Sequence, residues 1–241
     1  MIMNMAMTAS NFPWVDFHSH CLPGIDDGAA DVETACGMLR MAAEQGAVSV
    51  AATPHFYWGQ DTVESFLQAR QKAYERLKPH LEGLPPVRLG AEVLLREGIS
   101  RLDLRPLCME GTDVLLVELP FAPPPGWLIE ELENIIYHQH LTVMLAHLDR
   151  YMPWYSKEQA EMLTDLSDVI VQINGDSLAD RGVYRALRRW LPDAQRMVLG
   201  SDMHSTGHRA PHMNGALRHL SRKRPGRLWL DRVEKTTKDL I

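Results

Sequence analysis

The stretch Asp16-Phe17-His18-Ser19-His20, continued by Ile25-Asp26-Asp27-Gly28, decides how the rest of the chain is read. Trp14, Val15 and Phe17 surround Asp16 and predict a short buried strand, with His18 and His20 at its end. Successive strand side chains point to opposite faces, so His-x-His sends both imidazoles the same way. Two converging imidazoles suit a divalent transition metal. Asp27 adds a hard carboxylate from the following loop, and Asp26 reads as the turn residue of that loop. By itself His-x-His is a weak motif, because polar residues leaving any strand can produce it. Its weight comes from what the rest of the chain delivers to other strand ends.

Outward from this motif, hydrophobic periodicity alternates between the two regular structures. Helices are predicted over 31–46, 60–78, 127–140, 157–166, 178–191 and about 212–221, and a last one ends the chain. Asp31 fits an N-cap, Gly46 a C-cap, and Pro79 a stop. Strands are predicted over 48–53, 87–91, 113–117, 142–146, 169–173 and 195–200. Pro120 and Pro123-Pro124-Pro125 mark a rigid loop. Strand–helix alternation repeated about seven times predicts a parallel α/β architecture. Each strand ends in polar residues: His55, Glu92, Glu118, His147, Asn174, or Ser201-Asp202-Met203-His204. An open doubly wound sheet gathers ligands near one switch point, whereas a barrel uses the C-terminal ends of all its strands. So many contributing strands predict a closed or nearly closed barrel.

The candidate ligands are His18, His20, Asp27, His55, Glu92, Glu118, His147, Asp202 and His204. One catalytic metal takes about four ligands, so this set suits two or three divalent ions with bridging carboxylates. The mixed nitrogen and oxygen donors fit manganese, iron or zinc better than a thiol-bound structural zinc. Four carboxylates (about −4) against three such ions (about +6) leave a site that attracts anions. Arg150 and Arg209 follow His147 and His204 closely, and a guanidinium fork matches phosphate oxygens. Metals with arginines describe a phosphomonoesterase. Asn174 reads equally as a supporting residue or a plain strand end. Phe56-Tyr57-Trp58 reads as core or as a wall for an aromatic leaving group. His138, His140, His208 and His212, and the basic run Arg218 to Arg227, read as solvated surface.

Composition excludes other classes. The chain has 241 residues, 45% hydrophobic and 23% charged, with a net charge of −6. That is long enough for a sizeable core and carries no basic excess that would suggest a nucleic-acid partner. No apolar run approaches the roughly 20 residues of a membrane span. Residues 1–13 are expected to be a disordered N-terminal extension and residues 14–241 a single domain. Cys21, Cys36 and Cys108 are odd in number and lack CxxC pairing, which points to a reducing, cytoplasmic setting. Six residues after them stand Asp27, Ala42 and Val114, so none starts the C-x5-R signature of cysteine-nucleophile phosphatases.

Taken together, these residues resemble the PHP (polymerase and histidinol phosphatase) superfamily. The matching pieces are DFHSHCLPGIDDGA, ATPHF, GAE at Gly90–Glu92, VEL at Val117–Leu119, AHLDRY at Ala146–Tyr151 and GSDMHS at Gly200–Ser205. Order and spacing are most similar to the bacterial manganese-dependent tyrosine phosphatases of capsule and exopolysaccharide operons. GHRAPHM at Gly207–Met213 resembles that group's RPPHM element, with Ala210 at a proline position. Phe56-Tyr57-Trp58 stands where relatives often carry polar or basic residues. The resemblance implies a PHP-type distorted seven-stranded (β/α)7 TIM-like barrel. It implies a trinuclear centre held by the nine ligands, with Arg150 and Arg209 on the phosphate. It also implies a phosphotyrosine protein substrate, a bacterial tyrosine autokinase of polysaccharide synthesis. A small phosphomonoester such as histidinol phosphate is the alternative substrate. An amidohydrolase fits less well, since Glu118 stands where a bridging carboxylated lysine would be expected; a non-catalytic domain would not need so many costly charges.

Overall fold

The computed structural model describes residues 13–191 and 193–241, so the extension expected over residues 1–13 lies, apart from Pro13, outside the described residues. The described strands are β1 (Trp14–Ser19), β2 (Ala47–Ala52), β3 (His55–Phe56), β4 (Val87–Leu89), β5 (Glu92–Leu94), β6 (Val114–Glu118), β7 (Thr142–Leu145), β8 (Val169–Asn174) and β9 (Met197–Gly200). They form two sheets, ordered β1-β2-β4 and β3-β5-β6-β7-β8-β9, in which every pairing is parallel. This is the expected parallel α/β class. Strands β6, β7 and β8 are buried along their whole length, as apolar runs covered on both faces must be.

Two predicted strands, 48–53 and 87–91, end at Ala52 and Leu89, and each is followed, across residues that interrupt the ladder, by a short strand that was not predicted. Thr53-Pro54 separates β2 from β3, and Gly90-Ala91 separates β4 from β5. Proline brings no N–H and glycine no side chain to pack. Backbone bonds still cross both breaks: the Gly90 N–H donates to Ala52 O (2.8 Å) and the Glu92 N–H to Pro54 O (3.0 Å). At the other end of the order, the Asp202 N–H donates to His18 O (2.8 Å) and the His20 N–H to Met203 O (2.9 Å).

Helices α1 (Val32–Glu44), α2 (Val63–Leu77), α3 (Leu128–Glu133), α4 (Lys157–Thr164), α5 (Gly175–Ala179), α6 (Arg181–Trp190), α7 (Met213–Ser221) and α8 (Arg224–Leu240) cover the sheets. Asp31 caps α1 as its position suggested, accepting from the Thr34 N–H. Thr62 and Ser65 close a capping box that starts α2 later than the apolar spacing implies. The helix expected over 127–140 turns π-helical at Asn134–His138. The one expected over 178–191 is two helices. Asp180 is extended there, because its carboxylate accepts from the Gly182 and Val183 N–H groups and starts α6 afresh.

The core has two parts. The larger packs helices onto strands. The smaller joins Val15, Phe17, Ala51, Val114, Leu116, Met144, Ala146, Ile170 and Val198, side chains from strands of both sheets. Strand alternation then sets what stands above this floor. Val114 and Leu116 share a face of β6 with Glu118, and Ile170 shares a face of β8 with Gln172 and Asn174. Gly200 is where β9 crosses this layer: a Cβ there would lie 2.5 Å from Gln172 Nε2 and 2.8 Å from His18 Cβ. Gly200→Ala is therefore expected to lower stability by about 1–3 kcal/mol, as overpacking does. Urea unfolding, read beside metal content at saturation, checks this; unchanged values for both would contradict it.

Candidate metal centre

His18 and His20 come off the end of β1 with their Nε2 atoms 3.2 Å apart. Each ring is held from behind. His18 Nδ1 donates to Gln172 Oε1 (3.0 Å), and His20 Nδ1 donates to Asp26 Oδ2 (2.7 Å). Those bonds fix the tautomers and leave both Nε2 lone pairs aimed inward, as in histidine ligands braced by an outer acceptor. His204 is braced likewise, its Nδ1 donating to Asp202 O (2.9 Å).

Glu92 sits at the middle. Its Oε2 lies 3.2 Å from His18 Nε2, 3.3 Å from His20 Nε2 and 3.0 Å from His55 Nδ1, while its Oε1 lies 2.9 Å from His147 Nε2. Glu118 Oε1 is 3.7 Å from His147 Nε2, and Asp202 Oδ1 is 3.6 Å from both His18 and His20. Asp27 Oδ1 approaches His55 (3.5 Å) and His204 (3.4 Å) from the solvent side. All nine expected side chains meet. They fall into four overlapping sets with donor atoms within 4.8 Å of one another: His20/Asp27/His55/His204, His18/His20/Asp202, His18/Glu92/His147 and His55/Glu92/Glu118. His18, His20, His55 and Glu92 each belong to two sets, so the sets adjoin, and of these four only the Glu92 carboxylate has two oxygens to share between neighbouring sets. His147 and Asp202 adopt left-handed backbone (φ 31° and 52°), a cost of about 1–3 kcal/mol each that is tolerated at functional sites.

The electrostatics show what the cluster wants. Burial should drive His20 toward neutrality, yet its hydrogen bond to Asp26 and the adjacent Glu92 carboxylate lift it to about 10. Burial also opposes charging His18, and Glu92 and Asp202 overcome it. Glu92 is buried but held well below the usual carboxylate range by His18 and His147, and Asp202 is held low by His18 and His147. Glu118 goes the other way, raised by burial and by its neighbour Glu92. His204 falls to about 4 through burial and the charge on His20. The surroundings of His18 and His20 stabilise positive charge. Moreover, His55 Nδ1, Glu92 Oε2 and His204 Nε2 are buried with no hydrogen-bond partner although they face the cluster. Divalent cations fit such a donor set, and the residues present match them in number and type.

A cavity of about 520 Å³ lies over the cluster. Arg150 and Arg209 line it, both resting on Asp202 at 2.9 and 3.1 Å. Tyr57 and Phe121 also line it; Tyr57 stacks on His55 (5.0 Å between centroids) and Phe121 on His147 (5.6 Å). The Phe56-Tyr57-Trp58 run thus divides: Phe56 is core, Tyr57 faces the cavity, and Trp58 is half-buried. Asp26, read only as a turn residue, also anchors His20 and accepts from the His55 N–H (3.1 Å).

Sequence reading passed over Gln172. It is fully buried; its Oε1 accepts from the His147 N–H (2.6 Å) and from His18, and its Nε2 donates to Asn174 Oδ1 (2.8 Å). Asn174 Nδ2 donates on to Asp202 Oδ2 (3.3 Å). A polar residue inside the apolar run Val169–Ile173 was the available clue.

These features define a class: parallel α/β proteins whose strand ends gather imidazoles and carboxylates into a site for several cations. Within it, the chain belongs to the CpsB/CapC family of capsular polysaccharide synthesis, whose family model matches residues 14–234. It is 28% identical over 221 residues to the tyrosine-protein phosphatase YwqE of Bacillus subtilis, covering 87% of this chain and 84% of YwqE. It is 23% identical over 249 residues to the tyrosine-protein phosphatase CpsB of Streptococcus pneumoniae, covering 94% and 99%. A solved structure from work on YwqE and CpsB, described there as unique metal-dependent tyrosine phosphatases, superposes with a TM-score of 0.77 at 24% identity over 94% of this chain and 93% of that one, which establishes the shared fold.

Gln172→Leu keeps the volume but leaves the His147 N–H and His18 Nδ1 without an acceptor. We expect a loss of about 1–3 kcal/mol of stability and metal affinity weakened roughly 10–100-fold, as for other lost supports behind ligands. Competition with a chromogenic chelator measures the second; affinity equal to the parent would rule out the bracing role.

Proposed function

We propose that this chain is a metal-dependent tyrosine-protein phosphatase, hydrolysing a phosphotyrosyl protein to the protein with a free tyrosine hydroxyl and inorganic phosphate. The observation that carries this reading is the meeting of nine His, Asp and Glu side chains in one cluster beneath a cavity that also presents two arginines. The names of the relatives agree with it. We assign His18, His20, Asp27, His55, Glu92, Glu118, His147, Asp202 and His204 as ligands of two or three divalent cations, manganese first and iron or zinc as alternatives. Such cations, when bound, acidify a water toward neutral pH and neutralise phosphoryl oxygens.

The protein's own residues hold and orient. Asp26 and Gln172 keep His20 and His18 in the ligand tautomer. Arg150 and Arg209 grip the phosphate with their guanidinium forks, exchanging part of their pairing with Asp202 for it. Tyr57 and Phe121 flank the aromatic ring of the substrate by offset stacking. Water adds to phosphorus as the P–O bond to the phenol breaks, and the phenolate takes up a proton. With a pKa near about 10, phenolate leaves without a strong general acid. The buried thiols have no part: burial pushes Cys21 and Cys108 up to about 12.

Three finer readings accompany this one. We infer that the two sheets close as one distorted seven-stranded barrel, β2/β3 and β4/β5 each counting as a single strand; the backbone bonds across both breaks and between the β1 and β9 ends support it. The substrate is proposed to be a bacterial tyrosine autokinase of capsule or exopolysaccharide synthesis, in keeping with the family's description. The protein is proposed to act in the cytoplasm, in keeping with three buried free cysteines. Among the described residues no helix is long and apolar enough to cross a membrane.

Chelator treatment is expected to abolish hydrolysis of a phosphotyrosyl peptide, and manganese to restore it, while iodoacetamide leaves the rate unchanged. Turnover by a preparation shown metal-free by elemental analysis would refute the proposal. Arg150→Met and Arg209→Met should each lower kcat/KM about 10²-fold or more, the scale of a lost charge-stabilising donor, with metal content unchanged. Steady-state kinetics beside elemental analysis decides this, and a parental kcat/KM would remove that arginine from the phosphate site.

A further inference from the structure

The chain carries a net charge of −6, yet its basic residues are unevenly placed. Helix α6 has four arginines and no acid, and residues 213–230 have five basic residues and no acid. Between these elements lies a cavity of about 360 Å³, lined by Arg181, Arg185, Arg188, His219, Arg222 and Lys223. It shares no lining residue with the cavity over the metal centre. Among the described residues, these four arginines and Lys223 make no ion pair within 4.0 Å. Asp180, beside Arg181, turns its Oδ1 back onto the Gly182 and Val183 N–H groups and makes no ion pair with Arg181 within 4.0 Å.

The start of α8 makes this placement costlier still. A helix N-terminus carries a partial positive charge and favours acids in its first turn. Here the N-cap is Lys223, which makes no capping bond, and the first turn has no acid. Arg222, Lys223, Arg224 and Arg227 crowd that end, and Pro225 and Gly226 of the same turn line the cavity. The crowding is built in, because α8 is clasped onto the end of α7: a Cβ on Gly226 would fall 2.2 Å from Leu220 O. Tyr184 forms an aromatic wall with Arg188 5.8 Å over its ring, and its hydroxyl is buried without a hydrogen-bond partner. Like charges and the N-terminus of a helix line one concave space, and a bound anion would relieve both together.

We propose that this cleft binds a multiply charged, phosphate-bearing anion, either free or as a lipid headgroup. Arginine predominates over lysine among the lining cations, and the guanidinium fork is matched to phosphate oxygens. The concave shape favours a headgroup-sized anion over a flat polymer. The proposal does not depend on the phosphatase reading.

Calorimetric titration of the metal-loaded protein with inositol hexasulfate, a highly charged phosphate-like probe, tests it at low and at raised salt. Binding is expected in the parent and in Arg150→Ala/Arg209→Ala, weakened at least tenfold in Arg185→Ala/Arg222→Ala, and weakened by salt. Lys223→Asp should raise the Tm, because it supplies the missing cap, and weaken binding in the same protein. Sedimentation with phosphatidylglycerol vesicles separates the sources: co-sedimentation lost in Arg185→Ala/Arg222→Ala assigns a lipid headgroup, and its absence with binding retained in solution assigns a free anion. Binding within threefold of the parent in Arg185→Ala/Arg222→Ala, loss of binding in Arg150→Ala/Arg209→Ala, or no binding of either probe overturns the proposal.

Discussion

Glu92 is the residue that the rest of the structure must accommodate. It is 1% exposed, and its two oxygens lie within 3.3 Å of four imidazoles. A buried carboxylate is costly unless neighbours compensate it. The four histidines supply that compensation, and they come from three strand ends. The Glu92 and His55 positions are paired in register between β5 and β3, and His18, His20 and His147 come from the ends of β1 and β7. The strand ends must therefore converge. The interruptions at Thr53-Pro54 and Gly90-Ala91 fall directly before His55 and Glu92, where both strands change sheets.

Close backbone approach is the means of that convergence. A Cβ on Gly28 would fall 2.1 Å from His20 O, so the loop that carries Asp26 and Asp27 lies directly against the end of β1. Only there can Asp26 take the His20 Nδ1 proton bond while Asp27 reaches out to His55 and His204. Gly200 does the same for β9, letting Gln172 and His18 meet across it. Below this layer the small strand-lined core supplies rigidity, and above it side chains become progressively exposed, from Glu92 at 1% to Asp27 at 63%. Buried donors are the fixed ones; the outermost carboxylate is the adaptable one.

Most of the candidate site was legible because ligands fall at strand ends, where a change from apolar to His, Asp or Glu is conspicuous. His18-x-His20, Glu92, Glu118, His147 and Asp202-x-His204 all follow that rule. What remained hidden depends on distance in three dimensions. Gln172 lies inside an apolar strand, and nothing local distinguishes it from a satisfied core amide. Asp26 looked like a turn residue and is one; its second duty to His20 depends on how the loop folds back. The split of the 178–191 helix was missed because the apolar period continues through Asp180, whose side chain bonds locally and wins over it. The paired sheet breaks were likewise invisible to periodicity, although Pro54 and Gly90 mark them.

The arginines expose a tension that the site must resolve. Arg150 and Arg209 both rest on Asp202, whose Oδ1 also lies 3.6 Å from His18 and His20. One carboxylate thus faces the histidine cluster on one side and the guanidiniums on the other. That is affordable because the arginines are about 36–41% exposed and keep part of their hydration, so their pairing with Asp202 is the weak, screened kind. In the proposed reaction an incoming phosphate dianion would compete with Asp202 on favourable terms, since it brings more charge and oxygens that match the guanidinium fork. The Phe121 ring lies 4.9 Å from the Arg150 guanidinium, and it also contacts the rings of His147, Tyr151 and Trp154. A side chain at the cavity wall therefore touches both an arginine proposed to bind phosphate and a histidine proposed to bind metal. Substitution at Phe121 would disturb the two together, and its effect on turnover could not be assigned to ring recognition alone.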